Sequence, residues 1–215
     1  MPIENFWTAG GIVSLPLLGF SLLAVALIIE RVAFWLKIQR RQRRVVKEAL
    51  SLYRSDPYAA IKKLKQNASL PIARIFIEAL ELERPTPDEF RLALESATQA
   101  ELPILRRFST LFQTIITVSP LLGLLGTILG LIRSFASLEI GNVTATNTAG
   151  VAAGLSEALV STVMGLIVAI FTLLFANAFR GLYLRELAFI QEYGGQLELL
   201  YRRSHEGGRS YASPR

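Results

Sequence analysis

The sequence predicts an all-α membrane protein: three transmembrane helices, extended by helices outside the bilayer and assembling as a homo-oligomer. Three apolar stretches carry this reading. Between Glu4 and Glu30 lie 25 uncharged residues, and another 25 separate Arg107 from Arg133. From Glu139 to Arg180 a single charge, Glu157, interrupts 40 residues and leaves 22 uncharged ones after it. Roughly 20 apolar residues suffice to cross a bilayer. Of the 215 residues 52% are hydrophobic, cysteine is absent, and His205 is the sole histidine. That excludes a disulfide framework and leaves too few soft ligands for a transition-metal site, so neither metal nor cofactor is expected.

Residues 1–36 hold an N-terminal segment and the first span. Ala24-Val25-Ala26 resembles a signal-peptide cleavage site, yet no basic residue precedes the apolar run and it continues through Leu27-Ile28-Ile29; it reads as a retained anchor. Residues 37–109 open with KIQRRQRRVVK, six positive charges in eleven residues. Arg40, Arg41, Arg43 and Arg44 there are topology determinants with affinity for anionic lipid. Asp56-Pro57 reads as an N-cap followed by proline at the first helical position. The helix in LPIARIFIEALELE is expected to end at Arg84-Pro85. Thr86-Pro87-Asp88-Glu89 is a capping box, and the helix it starts is expected to run on into the second span with a kink at Pro103.

Residues 110–138 form the second span, 139–150 an extracytoplasmic loop, 151–180 the third span, and 181–215 a helical extension ending in a disordered tail from Gly207. Within the loop, Asn142-Val143-Thr144 fits a glycosylation acceptor pattern. The N-terminal segment and the loop contain no Lys or Arg, whereas the first span is followed by the basic run and the third by Arg180 and Arg185. The positive-inside rule therefore puts the N-terminus outside and residues 37–109 and the C-terminus in the cytoplasm. The net charge of +6 is thereby explained as topology. Nucleic acid is not an expected partner, because no reading motif accompanies the charge.

The second and third spans are not uniformly apolar. On a helical wheel Ser119, Pro120, Gly123, Gly126, Thr127, Gly130, Ser134 and Ser137 fall in one arc, and the leucines, isoleucines and Phe135 in the other. The third span repeats the division. Gly154, Glu157, Ala158, Ser161, Thr162, Gly165, Ala169, Thr172 and Ala176 share a face opposite Leu155, Leu159, Val163, Leu166, Ile167, Ile170 and Leu174. Two uses of these stripes stand open. Small faces let helices pack closely, and Gly126-x-x-x-Gly130 is such a contact motif, with Gly123, Gly154 and Gly165 in the same role. Alternatively, Thr127, Ser161 and Thr162 offer hydroxyls, and Glu157 a carboxyl group, to an ion route facing an aqueous cavity. Glu157 could equally pair with Arg133, and either threonine could bond its own backbone carbonyl four residues back.

RRFSTLFQTIITVSPLLGLLGTILGLIRSF followed by GVAAGLSEALVSTVMGLIVAIFTLLFANAF resembles the ExbB/TolQ branch of the MotA/TolQ/ExbB proton-channel family. The resemblance is close from Leu105 to about Arg203. Ile29-Glu30-Arg31 looks like the family's acid-base pair at the end of the first span, and residues 45–100 match only in helical character. The resemblance implies a pentamer in a bacterial inner membrane, with the second and third spans around a central pore. It also implies an ExbD/TolR-like partner, whose single transmembrane helix carries a proton-binding aspartate, and a TonB/TolA-like protein that passes the energy on. Thr127, Glu157 and Thr162 stand at the family's pore threonine, glutamate and second threonine. Proton flow would drive rotation or another motion that does work across the envelope.

Three other classes remain. A MotA-like motility stator shares the motor logic but usually has four spans and a longer cytoplasmic domain. A passive scaffold would need the stripes for packing alone. An intramembrane enzyme finds no Cys, no His within a span, no paired aspartates, and no base at a plausible spacing from Ser161.

Overall fold

The computed structural model describes residues 11–136 and 145–210. Every regular element among the described residues is helical: a 3-10 turn Gly11–Val13, then α1 (Ser14–Ser55), α2 (Pro57–Lys65), α3 (Pro71–Leu80), α4 (Pro87–Leu105), α5 (Ser109–Ala136) and α6 (Ala145–Ser210). Three helical stretches are long and apolar enough to cross a membrane, those containing α1, α5 and α6. The chain divides into two compact units. One comprises residues up to Arg31 with Phe108–Phe179, the other Val32–Arg107 with the residues from Arg180 onward.

In the first unit, the start of α1 packs with α5 and the first part of α6. Ala24, Leu27 and Ile28 of α1 bury against Phe112 and Ile115 of α5, with Phe175 and Phe179 of α6 closing the cluster. A second cluster joins Val13 and Leu17 to Met164. Many large side chains stay exposed, among them Leu121, Leu124, Ile128, Leu159, Ile167 and Leu174. In water such a surface would be costly; in a bilayer it is the expected lipid or helix contact.

The second unit has a conventional core. Ile72, Phe76 and Phe90 are fully buried. Phe90 stacks on Tyr201 with ring centroids 4.2 Å apart, and the Tyr201 hydroxyl donates to the Pro85 carbonyl at 2.5 Å. Arg74 grips Glu101 with two bonds, Nε to Oε1 at 2.6 Å and a terminal nitrogen to Oε2 at 2.5 Å, and also donates to the Ala68 carbonyl at 2.9 Å. Forked, charge-assisted bonds of this type fix geometry as well as contribute energy. Gln42 of α1 donates to Glu186 of α6 at 2.5 Å. Burial pushes the Glu186 carboxyl up, against the opposing effect of the Gln42 bond.

The local helix signals act as their chemistry requires. The Asp56 side chain accepts from the Ala59 amide at 3.1 Å, with Pro57 at the first helical position. Thr86 accepts from the Glu89 amide at 3.3 Å, while the Glu89 carboxylate accepts from the Thr86 amide at 2.7 Å. Four boundaries differ from the sequence expectation. α3 stops at Leu80 and not at Arg84; Arg84 instead has φ of 48°, a left-handed turn directly before Pro85, whose ring disfavours the helical conformation there. α4 does not kink at Pro103 and run on. It ends at Leu105, the Arg106 amide bonding back to Leu102 at 2.9 Å, and Phe108 turns the chain with φ of 67° before α5 begins. α6 begins at Ala145, so the stretch up to Gly150 that reads as loop is helical. Its backbone also continues through Gly207 to Ser210, so the first four residues read as disordered tail are helical, since two glycines weaken a helix without barring it; residues 211–215 lie outside the described residues. Asn142-Val143-Thr144 lies outside the described residues.

Two stability predictions follow from these contacts. Thr86→Ala should cost about 1 kcal/mol, read as faster amide exchange in the first turn of α4, with Thr86→Ser largely sparing it. Glu186 binds its proton more tightly when folded than when unfolded, so its contribution is complete at low pH and lost as pH rises through the raised folded value. Melting curves of Glu186→Gln should therefore fall less than wild type as pH is raised from the carboxylate range to neutrality.

Candidate functional site

The small residues of α5 and α6 meet each other within one chain. From Ser119 onward the buried positions of α5 are Ser119, Gly123, Gly126, Gly130 and Ser134. They face Gly154, Ala158, Ser161 and Gly165 of α6. A Cβ added at Gly165 would lie 2.5 Å from the Ser119 carbonyl oxygen, and one at Gly130 would lie 2.7 Å from that of Gly154. At Gly123 it would stand 3.0 Å from the Ser161 carbonyl oxygen and from the Thr162 Cα. These are backbone contacts that no rotamer change can relieve, so glycine is required by approach and not by dihedral freedom.

Hydroxyls stitch the same seam. Ser161 donates to the Ala158 carbonyl at 2.8 Å and lies 3.3 Å from that of Gly123, while Thr162 donates across to the Gly123 carbonyl at 3.2 Å. Ser134 donates to the Val151 carbonyl at 3.1 Å.

Ser161 is fully buried between the two helices. Within one chain the small stripes of α5 and α6 pack against each other. Thr162 is only partly buried, at the margin of the seam. Thr127 is brought to none of these groups. It is part-exposed, and its hydroxyl donates to the Leu124 carbonyl three residues back at 2.6 Å.

Glu157 pairs with Arg133 of α5. The turn at Gly11 closes over it: this residue has φ of 64°, and a Cβ there would overlap the Glu157 carboxylate. Ser14 fixes the turn by donating to the Gly11 carbonyl at 2.7 Å. Sequence reasoning missed Gly11, although the Gly10-Gly11 doublet ahead of the first apolar run was its signal. Among the basic residues, Arg40, Arg41, Arg43 and Arg44 are all exposed, and Arg44 pairs with Glu48 at 2.8 Å.

Comparison with known proteins gives this geometry a family. The model of the MotA/TolQ/ExbB proton channel family matches residues 67–192, which extends the likeness upstream through α3 and α4. The chain is 73% identical over 198 residues to ExbB-like 3 of Synechocystis sp., covering 92% of this chain and 94% of that one. It is 39% identical over 194 residues to ExbB-like 1 of the same organism, covering 90% and 76%. It is 35% identical over 101 residues to the biopolymer transport protein ExbB of Pseudomonas putida, covering 46% and 30%. The chain belongs to the MotA/TolQ/ExbB proton channel family.

The seam yields a direct test. Gly165→Leu should force α5 and α6 apart and lower the melting temperature of the purified protein, whereas Gly181→Leu, at a position with nothing near its Cβ, should be tolerated.

Proposed function

We propose that this MotA/TolQ/ExbB family member is the pore-forming subunit of a proton-driven motor in a bacterial inner membrane. Copies assemble as a ring, a pentamer by the family resemblance, around the transmembrane helices of an ExbD/TolR-like partner. The N-terminus faces outward and the unit containing α2, α3 and α4 the cytoplasm. A TonB/TolA-like protein would carry the resulting motion to the envelope, for outer-membrane transport or envelope maintenance.

The observation that supports this most is where the polar groups of the α5–α6 pair sit. Ser134, Ser161 and Thr162 spend their hydroxyls inside the seam, while Thr127, like Thr114 and Thr117 nearer the start of α5, stays at least part-exposed with its bond made only to its own helix. A hydroxyl so placed can turn from a local carbonyl to a neighbouring carboxyl group without dismantling a helix contact. The partner's aspartate, changing between its protonated and ionised forms, is the group it would meet. A proton crossing 100 mV releases about 2.3 kcal/mol, so several are needed for a sizeable mechanical step. Packing of α5 against α6 makes each subunit's wall a rigid pair, on which force can act without separating the two helices.

A second reading applies to Glu157. Its pairing with Arg133 favours a clasp between α5 and α6 over a group that picks up and releases protons in the path. A passive scaffold predicts that neither Thr127 nor Glu157 matters to proton flow.

In liposomes containing the protein with its co-purified partner, Thr127→Val should leave assembly unchanged and reduce proton flux. Losing a hydroxyl bond to an ionised group costs about 1.5–3 kcal/mol, about ten- to a hundred-fold in rate. Wild-type flux from this variant would remove Thr127 from the route. A clasp role for Glu157 predicts that Glu157→Gln lowers thermal stability while sparing most of the flux.

A further inference from the structure

In the second unit, α1 and α6 leave between them a cleft of about 320 Å³ that the proton-driven reading does not use. Its walls include Trp35, Gln42 and Arg43 of α1 and Arg185, Glu186 and Phe189 of α6. The volume falls at the small end of the about 300–1,000 Å³ typical of ligand sites. Position along each helix gives its depth. On α1 the uncharged run ends at Ile29, before Glu30 and Arg31, and the dense basic run opens at Lys37; on α6 Arg180 is the first charge beyond the span. The cleft therefore begins within two turns of where each helix leaves the hydrocarbon, the level at which tryptophan and the headgroups of lipids are found.

Three features of the lining specify a ligand. Arg43 and Arg185 are exposed, and among the described residues neither makes an ion pair, so two guanidinium groups are available to an anion. Gln42 is 3% exposed and spends its amide nitrogen on Glu186, leaving its Oε1 buried with no hydrogen-bond partner. A buried amide oxygen without a donor is unusual in a folded protein and calls for an O–H or N–H. Trp35 supplies an apolar wall at the end of the cleft nearer the first span, and Phe189 closes the far end.

We infer that this cleft binds an anionic lipid whose headgroup also carries hydroxyl groups, phosphatidylglycerol being the simplest example. Arg43 and Arg185 hold the phosphate, Gln42 accepts from a headgroup hydroxyl, and the Trp35 wall takes the start of the acyl chains. Against the one acid of the lining, Glu186, stand two guanidinium groups, so the lining carries no net negative charge. The inference stands apart from what the motor drives.

Native mass spectrometry of the delipidated full-length complex, titrated with defined lipids, tests it. Phosphatidylglycerol should bind about tenfold or more tightly than phosphatidylcholine, as expected for two charge-assisted contacts. Arg43→Gln with Arg185→Gln should abolish that preference, whereas Arg40→Gln with Arg41→Gln, an equal loss of charge outside the cleft, should preserve it. Gln42→Leu should bring phosphatidylglycerol down to the affinity of phosphatidic acid. Equal damage from both arginine pairs would overturn the site in favour of diffuse attraction. Displacement of the lipid by equimolar glycerol 3-phosphate would overturn the lipid assignment in favour of a soluble anion.

Discussion

The close approach of α5 to α6 is the constraint on which the first unit depends. Lipid tails are as apolar as leucine, so two helices gain little in a membrane by hiding leucines from it. What remains is contact itself: backbone against backbone, many weak attractions at short range, and hydroxyls bonding to carbonyls across the gap. Gly123, Gly130 and Gly165 make that contact possible by having no side chain to hold the backbones apart. Of the large residues displaced to the outside of the pair, Phe112, Ile115 and Met164 pack against the first helix, while Leu121, Leu124 and Ile167 stay exposed. The exposed ones are free to meet lipid or another subunit, and this division of labour follows from one stripe of small residues on each helix.

The second unit is held together by different physics. Its core is hydrophobic burial around Phe76 and Phe90, finished by polar locks such as Arg74 on Glu101 and Tyr201 on Pro85. A chain that passes through lipid and water thus uses close packing in one and burial of apolar area in the other.

How much of this could be read from the sequence depended on range. The caps at Asp56 and Thr86 were legible because donor and acceptor sit three residues apart, and the spans because length and charge are properties of the chain alone. The two stripes were legible as faces. Their recipient was not: periodicity shows that Ser161 and Gly165 lie on a small face but not whether its neighbour is α5, a second copy or water. The same limit hid the Gln42–Glu186 contact, whose members are 144 residues apart and look, in sequence, like ordinary solvated positions. The stop at Leu105 was missed for a different reason. Pro103 draws attention to itself, but the chain turns at Phe108, a residue type with no preference for the left-handed conformation it adopts.

The pairing of Arg133 with Glu157 has a consequence for how the protein is made. Arg133 leaves the ribosome 24 residues before its partner, so α5 reaches the membrane with its arginine unmatched. Only when the start of α6 follows can the two charges neutralise each other and the glycine seam close from that end. The second and third spans are therefore best delivered to the bilayer as a helical hairpin. The clasp at its tip is then a step in insertion as much as a feature of the finished fold.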